Sequence, residues 1–441
     1  MEEIMAEIEE SLPQLDTRRL PGPETILRRV LSNGITVLAR ENFTSPSVVI
    51  SGYLSAGSLD EKPEQAGLAY LTAQGLMRGT TTRSFQDIFE SIESIGARVA
   101  FVGRTHTTRI FGKALAEDLS LLLDVIADVL QDSVYPDVEF ERMKAQHLTS
   151  LAIRDQDTQS RADMAFDELA YPNHPYRLPT SGYRETVQDL RVEDLREFRA
   201  RRYSPEGMLL VIVGAIEAQK AVAAVSDALE DWKPGTTYER PPLVKVERPT
   251  KKQRKDVYLD GKSQSDLVIG VVGPSRYHEK YLAAALGNNI LGRFGLFGRL
   301  GEAVRKTAGL AYYAYSSLAG GLGPGPWRVN AGVHPANIER TIQIVTDEIR
   351  RFSSQPVTRE ELHDNQANFI GSLPLRIESN EGLCGALIYV ERYDLGLDYY
   401  QRYSDTIAAI TREDVLEVAR EFLDPERLVI ATAGPKAEAG G

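Results

Sequence analysis

Zinc hydrolysis on a helix needs two imidazoles at positions i and i+4. These stand one turn apart on one face, and a carboxylate beside the metal takes a proton from the bound water. The stretch GLAYLTAQGLMRGT, Gly67 to Thr80, has the frame of such a helix and none of its donors. The histidines of the chain, His106, His147, His174, His278, His334 and His363, nowhere stand at that spacing. His147 reads as a solvated helix position, and His174, in YPNHPY, as a turn or packing residue. Cys384 is the only cysteine, so neither an internal disulfide nor a cysteine-rich zinc knuckle can form. It has no histidine near it in sequence and no G-x-S-x-G elbow occurs, which leaves nucleophilic catalysis without a candidate. Glycines at 292, 295, 298 and 301 in GRFGLFGRLG are not followed by G-K-[ST] and make no phosphate loop.

The elements that would position a site are written twice. TVQDLRVEDLREFRARRYSPEGMLLVIVG (Thr186 to Gly214) aligns without a gap on TIAAITREDVLEVAREFLDPERLVIATAG (Thr406 to Gly434). Glu193-Asp194 falls on Glu413-Asp414, Pro205-Glu206 on Pro425-Glu426, and Gly214 on Gly434. At the same offset PDVEFERMKAQ (Pro136 to Gln146) lies over PVTREELHDNQ (Pro356 to Gln366). Repeats of this kind mark a duplicated unit. In the first half, strand-like GITVLAR and SVVISGYLSAG precede a helical pattern over 64–77. A second helix runs from an N-cap at Ser84 to Ile95, with Phe85, Ile88, Phe89, Ile92 and Ile95 on one face and Gly96 as its stop. Strands RVAFVG and TTRIFGKAL and the helix EDLSLLLDVIADVL follow. The second half has strand-like SDLVIGVVG, a helix over 281–291, strands LAYYAYSSL and WRVNAGV about the turn GGLGPGPW, and the helix NIERTIQIVTDEIRRF. Thr358 and Glu361 form a capping box for the helix after it. Neighbouring strands alternating with helices predict an α+β fold, two homologous domains each with helices packed on a mostly antiparallel sheet. The domains are expected over 1–232 and 256–441. The proline- and charge-rich segment 233–255 between them reads as a linker, its basic run KKQRK solvated.

The chain has 441 residues, enough for two cores rather than one. A formal net charge of -12 argues against nucleic acid as a partner, since that needs a basic face. No apolar run approaches the ~20 residues of a membrane span. The acidic start MEEIMAEIEESL has neither the basic region of a secretory signal nor the arginines of a transit peptide. The expectation is a cytoplasmic protein without a membrane partner.

Several segments, in order, resemble the pitrilysin/insulinase-type family of inverted-motif zinc peptidases, which includes mitochondrial processing peptidase. SNGITVLARE looks like the family's first strand. AGSLDEKPEQAGLAYLTAQGLMRGT looks like its AGS…GLAHFLEHMLFKGT, and ELAYPNHPYRLPTSG like its LLYPGHPYGRPILG. SQSDLVIGVVGPSR and NNILGRFGLFGRLGEAVRKTAGLAYYAYS look like the start and signature of its second half. The resemblance covers nearly the whole chain and implies half of a clamshell chamber. Within it the first histidine of H-x-x-E-H falls on Tyr70, the catalytic glutamate on Ala73 and the second histidine on Gln74. The distal glutamate ligand falls on Ser150 or Thr149. Gln74 offers a neutral amide oxygen, and Ala73 cannot accept a proton.

The same resemblance places a family Arg/Tyr pair, R-x-x-x-G-L-A-Y, on Arg305 and Tyr312. A guanidinium can clamp a substrate carbonyl or terminal carboxylate, and a phenol can donate to an oxygen that gains negative charge. The glycine-rich stretch before them corresponds to a mobile segment in the family. GARVAFVG matches the sheet edge to which relatives add a substrate strand, with Val99 in place of the usual asparagine. The expectation is a non-catalytic subunit of a bacterial heterodimeric peptidase. It would have no metal of its own, and zinc would sit in a homologous H-x-x-E-H partner that acts on peptide substrates. The alternatives are a structural or assembly protein of the same fold, or a peptide-binding chamber acting alone, as a homodimer.

Overall fold

The strands Leu209–Gly214 and Val429–Gly434 are buried at every position, so each must lie in a sheet covered on both faces. The computed structural model describes residues 11–233, 244–293 and 298–436. The first half runs β1 (Leu27–Val30), β2 (Thr36–Glu41), β3 (Ser47–Leu54), α1 (Leu68–Gly75), α2 (Phe85–Glu93), β4 (Arg98–Gly103), β5 (Thr108–Leu115), α3 (Leu119–Asp132), α4 (Asp137–Arg154), α5 (Thr158–Ala170), α6 (Arg184–Asp189), α7 (Val192–Arg202), β6 (Leu209–Gly214) and α8 (Ala218–Leu229). The second runs β7 (Gln253–Tyr258), β8 (Ser265–Val272), α9 (Tyr281–Asn288), β9 (Ala311–Leu318), β10 (Pro326–Val333), α10 (Ile338–Ser354), α11 (Arg359–Gly371), α12 (Leu373–Arg376), α13 (Asn380–Arg392), α14 (Tyr403–Ala408), α15 (Arg412–Phe422) and β11 (Val429–Gly434).

The first sheet has the order β1-β2-β6-β3-β5-β4 and the second β7-β11-β8-β10-β9. Leaving out β1, the two orders are the same pattern. In each, one pair is parallel, β2 with β6 and β7 with β11, and every other pair is antiparallel. The duplication is therefore a duplication of topology, and the α+β expectation holds.

Period-2 alternation sorts each strand between two cores. In the first sheet Val37, Ala39, Val48, Ile50, Leu210 and Ile212 face the helices of their own half. Leu38, Val49, Leu209, Val211 and Val213 face the other way, into a cluster that contains Leu383, Cys384 and Leu387 of α13. The second sheet mirrors this. Val268, Val272, Val429, Ala431 and Ala433 pack on Ala162, Ala165 and Phe166 of α5. Each half thus lends one helix to the other, and the lent helices hold corresponding places in the two repeats.

Polar contacts hold each lent helix in register. On α13, Asn380 Oδ1 accepts from Asn42 at 2.7 Å, its Nδ2 donates to the Ser47 carbonyl at 3.3 Å, and Glu381 pairs with Lys113 at 2.6 Å. On α5, Asp163 accepts from Asn330 at 3.1 Å and pairs with Arg328 at 3.2 Å, while Thr158 donates to Asp266.

Most local signals hold. Ser84 caps α2 reciprocally with Asp87, and Thr358 caps α11 with Glu361. The Gly-Pro turn joins β9 to β10 with Leu318 opposite Trp327. Two expectations are corrected and one is refined. The first helix is shorter than 64–77 because Pro63–Gln65 forms a separate tight turn. On α2 only Ile88 and Ile92 are buried. Phe89 is 38% exposed and stacks on Phe85 at 4.6 Å instead of entering the core. The linker drawn over 233–255 includes 234–243, outside the described residues, and its end is a strand. Gln253, Arg254 and Lys255 lie in β7 alongside β11, Arg254 pairs with Glu339 at 2.7 Å, and Lys255 pairs with Glu168 of α5. The cations of KKQRK are exposed, as expected, but its last three residues are strand and not linker. Charge on an outermost strand hides its period while protecting its edge.

Because each sheet is closed by a helix from the other half, the halves should not unfold independently. Leu387→Ala, at a fully buried position on α13, is expected to cost about 3 kcal/mol and to shift a single urea transition of the whole chain. Separate transitions for the two halves, by intrinsic fluorescence and far-UV dichroism, would contradict the coupling.

Candidate functional site

Helix α1 carries the degenerate motif. Its start is held by Glu61, whose carboxylate accepts from Gly67 N–H at 3.1 Å and Ala69 N–H at 2.8 Å. A negative group suits a helix N-terminus, yet burial pushes Glu61 up to about 8. The outermost strand β4 lies directly on α1. A Cβ on Gly103 would sit 2.6 Å from the Ala69 carbonyl oxygen and 2.7 Å from Tyr70 Cα, so only glycine permits that approach.

Tyr70 and Gln74 are half-buried and one turn apart, and Ala73 is fully buried. Gln74 makes no hydrogen bond to a described residue. Tyr70 stacks on His147 of α4, with ring centroids 4.8 Å apart and planes 30° apart. This overturns the reading of His147 as solvated: it is buried, and its Nε2–H donates to the Ser181 carbonyl at 2.8 Å. Burial lowers its pKa from 6.5, keeping it neutral. Ser150 and Thr149, the expected distal positions, are exposed, and their hydroxyls bond back to Gln146 and Ala145 carbonyls. The face of α4 that meets α1 carries His147, not Ser150.

This donor set does not fit zinc. A phenol coordinates only once ionised, an amide oxygen is a weak donor, and the methyl of Ala73 offers nothing. The single imidazole has one nitrogen already committed to Ser181. Among the described residues no three His, Cys, Asp or Glu side chains gather as a metal site. Cys384 is equally unsuited to catalysis. It lies on the face of α13 that packs on the first sheet, 3.6 Å from the Val49 carbonyl, and burial pushes its thiol pKa up. His174 is a packing residue as expected, buried, with Nδ1 accepting from Tyr176 N–H at 3.1 Å.

The Arg/Tyr pair sits in the second half, where the chain makes a wide helical turn over Gly301–Thr307. Gly309 then turns it at φ +64, a left-handed conformation that favours glycine, and β9 begins at Ala311. Arg305 is exposed and has no hydrogen-bond or ion-pair partner among the described residues, while the neighbouring Lys306 pairs with Glu302 at 2.9 Å. Tyr312 is 61% exposed. Alternation separates it from Tyr313, which donates to Asp266, and Tyr315, which accepts from Gln159 at 3.1 Å, both beneath α5. β9 and β4 are the last strands of their sheets, and Val99 is half-buried on β4. Gly295 of the glycine-rich stretch lies outside the described residues.

Sequence reasoning missed the Tyr70–His147 stack and the acidic layer under α5. There Asp167 is pushed up to about 7 by burial, against the pull of Arg328. Only the helical phase of α4 could have revealed the first.

Residues 36–183 match the family model described as Insulinase (Peptidase family M16), and residues 189–369 match that of the Peptidase M16 inactive domain. The chain belongs to peptidase family M16. An uncharacterized zinc protease of Mycobacterium leprae is 27% identical over 418 residues, covering 93% of this chain and 92% of that one. The bovine mitochondrial cytochrome b-c1 complex subunit 1 is 28% identical over 286 residues, 62% of this chain and 56% of that one. Among solved structures, a peptidase M16 inactive domain from Pseudomonas fluorescens superposes with TM-score 0.86 at 23% identity, covering 94% of this chain and 99% of that one. A protease from Helicobacter pylori gives TM-score 0.87 at 18% identity, with 94% and 100% covered. At these identities the two structures establish the fold.

Because His147 is harder to protonate folded than unfolded, the stability it contributes is present above pH 6.5. That stability falls as pH drops from there toward its folded pKa. In His147→Gln an amide N–H can replace the bond to Ser181 without a proton to take up. The loss of urea stability between pH 7.5 and 5.5 is expected to be smaller in this variant than in the parent. An equal or larger loss would contradict the assignment.

Proposed function

We propose that this chain is the non-catalytic subunit of a two-chain zinc peptidase. It closes the substrate chamber and presents Arg305 and Tyr312 to the metal site of a homologous H-x-x-E-H chain. The observation that carries this reading is a contrast between the two halves. On α1 the motif positions are filled by Tyr70, Ala73 and Gln74 and packed as scaffold. On the second half Arg305 is exposed and without a partner among the described residues, and Tyr312 projects from an outermost strand. A solvated guanidinium without a carboxylate suits a partner's peptide substrate, and the phenol suits the carbonyl oxygen that gains charge during attack. No catalytic step is assigned to this chain alone. A second reading, a structural subunit without peptidase activity, is supported by the match to the cytochrome b-c1 complex subunit.

The test pairs this chain with a separately purified H-x-x-E-H chain of similar length, sought first in the neighbouring gene. Peptide hydrolysis is expected only in the mixture. Arg305→Ala or Tyr312→Phe should lower kcat/KM by about 100-fold while association, followed by sedimentation, is retained. Stoichiometric zinc with hydrolysis by this chain alone would overturn the proposal, as would full activity of the Arg305→Ala/Tyr312→Phe mixture. A complex whose activity ignores both substitutions favours the structural reading.

A further inference from the structure

The second half contains a cavity of about 560 Å³, within the range of small-molecule sites. It lies between α9, the α11–α12 corner, α13 and the chain entering α14. Its aromatic wall is Tyr281, Tyr389, Tyr399, Tyr400 and Tyr403, and the one charged group on its lining is Arg376. Among the described residues no carboxylate lines it.

A second cation stands behind the wall. Arg276 is buried, its guanidinium 4.8 Å from the Tyr281 ring and 5.0 Å from the Tyr389 ring. A buried guanidinium is normally paired with a carboxylate. Among the described residues Arg276 has none. Its Nε donates to the Tyr389 hydroxyl and its Nη2 to the Tyr399 hydroxyl at 3.4 Å. Arg376 is likewise without a carboxylate. Its Nη2 donates to the Phe369 carbonyl at 3.2 Å and to the Tyr403 hydroxyl at 3.4 Å.

The directions of these bonds decide what the cavity can hold. Three phenol oxygens accept from guanidinium groups, so each keeps its own O–H to donate. Tyr389, Tyr399 and Tyr403 donate to no described residue. Burial raises the pKa of Tyr389 and Tyr399 and keeps those protons in place. Tyr400 differs, donating to the Ala386 carbonyl at 3.5 Å. An aromatic box commonly takes a cation, but here the chain's own arginines fill that role. What remains is a set of hydroxyl donors and one exposed guanidinium whose charge no carboxylate among the described residues balances, beside flat apolar walls.

We propose that this cavity binds a small organic carboxylate on a flat, apolar body. The carboxylate would accept from Arg376 and the tyrosine hydroxyls, and the body would stack on the rings. A free aryl-bearing acid and the C-terminal residue of a peptide share this chemistry. The site is separate from Arg305 and Tyr312 and needs no second chain.

Isothermal titration of the full chain with N-acetyl-phenylalanine tests it, with N-acetyl-phenylalaninamide as the neutral control. Saturable one-to-one binding of the acid is expected. The amide, Arg376→Gln and a Tyr389→Phe/Tyr399→Phe variant should each weaken it by about tenfold or more. These substitutions keep ring and chain volume, and their urea midpoints establish that the fold is retained. Absence of saturable acid binding would overturn the proposal, as would equal binding of acid and amide, or binding unchanged in both variants. A ten-residue peptide ending in phenylalanine separates the sources. Competition with the acid supports a peptide terminus, and failure to compete where the acid binds supports a free acid.

Discussion

The reciprocal loan of helices is the constraint on which the rest of this structure depends. A sheet whose central strands are apolar on both faces cannot stand against solvent, and the helices that stay with their own half pack on one face of its sheet. Each half therefore places one helix on the other half's sheet, α13 on the first and α5 on the second. The duplicated halves are thereby packed into one body. The outermost strands β4 and β9 are left uncovered as sheet edges, each beside a stretch that the family resemblance marks as functional.

Duplication also explains how one half could lose its chemistry without losing its fold. In the H-x-x-E-H motif the zinc ligands project from the helix that corresponds to α1, but α1 is held by other things: Glu61 at its start, Leu68, Leu71 and Ala73 in the core, and β4 against its side. Replacing two imidazoles and a carboxylate by Tyr70, Gln74 and Ala73 removes metal chemistry and leaves packing. The Tyr70–His147 stack occupies that position as structure. Arg305 and Tyr312 show the opposite pattern, since neither is used by the fold. Arg305 makes no partner among the described residues, and Tyr312 stands exposed where the register of β9 on β10 shifts.

Much of the architecture was legible because repeats and periods are local. The two copies of helix, Pro-Glu turn and apolar strand appear as α7 to β6 and α15 to β11, and the capping boxes at Ser84 and Thr358 form as read. The failures also have physical causes. β7 was hidden because an outermost strand can carry charge at nearly every position. Phe89, read only as a member of the apolar face of α2, stays 38% exposed because periodicity gives a face, not the depth to which it is covered. His147 was assigned to solvent because it is polar, although its spacing from Phe140, Met143 and Leu151 puts it on the buried face of α4.

The sequence by itself determined the fold class, the duplication, the family likeness and the missing H-x-x-E-H donors, since each is a matter of residue type and spacing along the chain. Only the tertiary structure decided which half covers which sheet, that His147 stacks on Tyr70, and that Arg276, Arg376 and a group of tyrosines converge on one cavity. Those arrangements join residues far apart in the chain. They follow from how helices pack across the two sheets, and no local period encodes that.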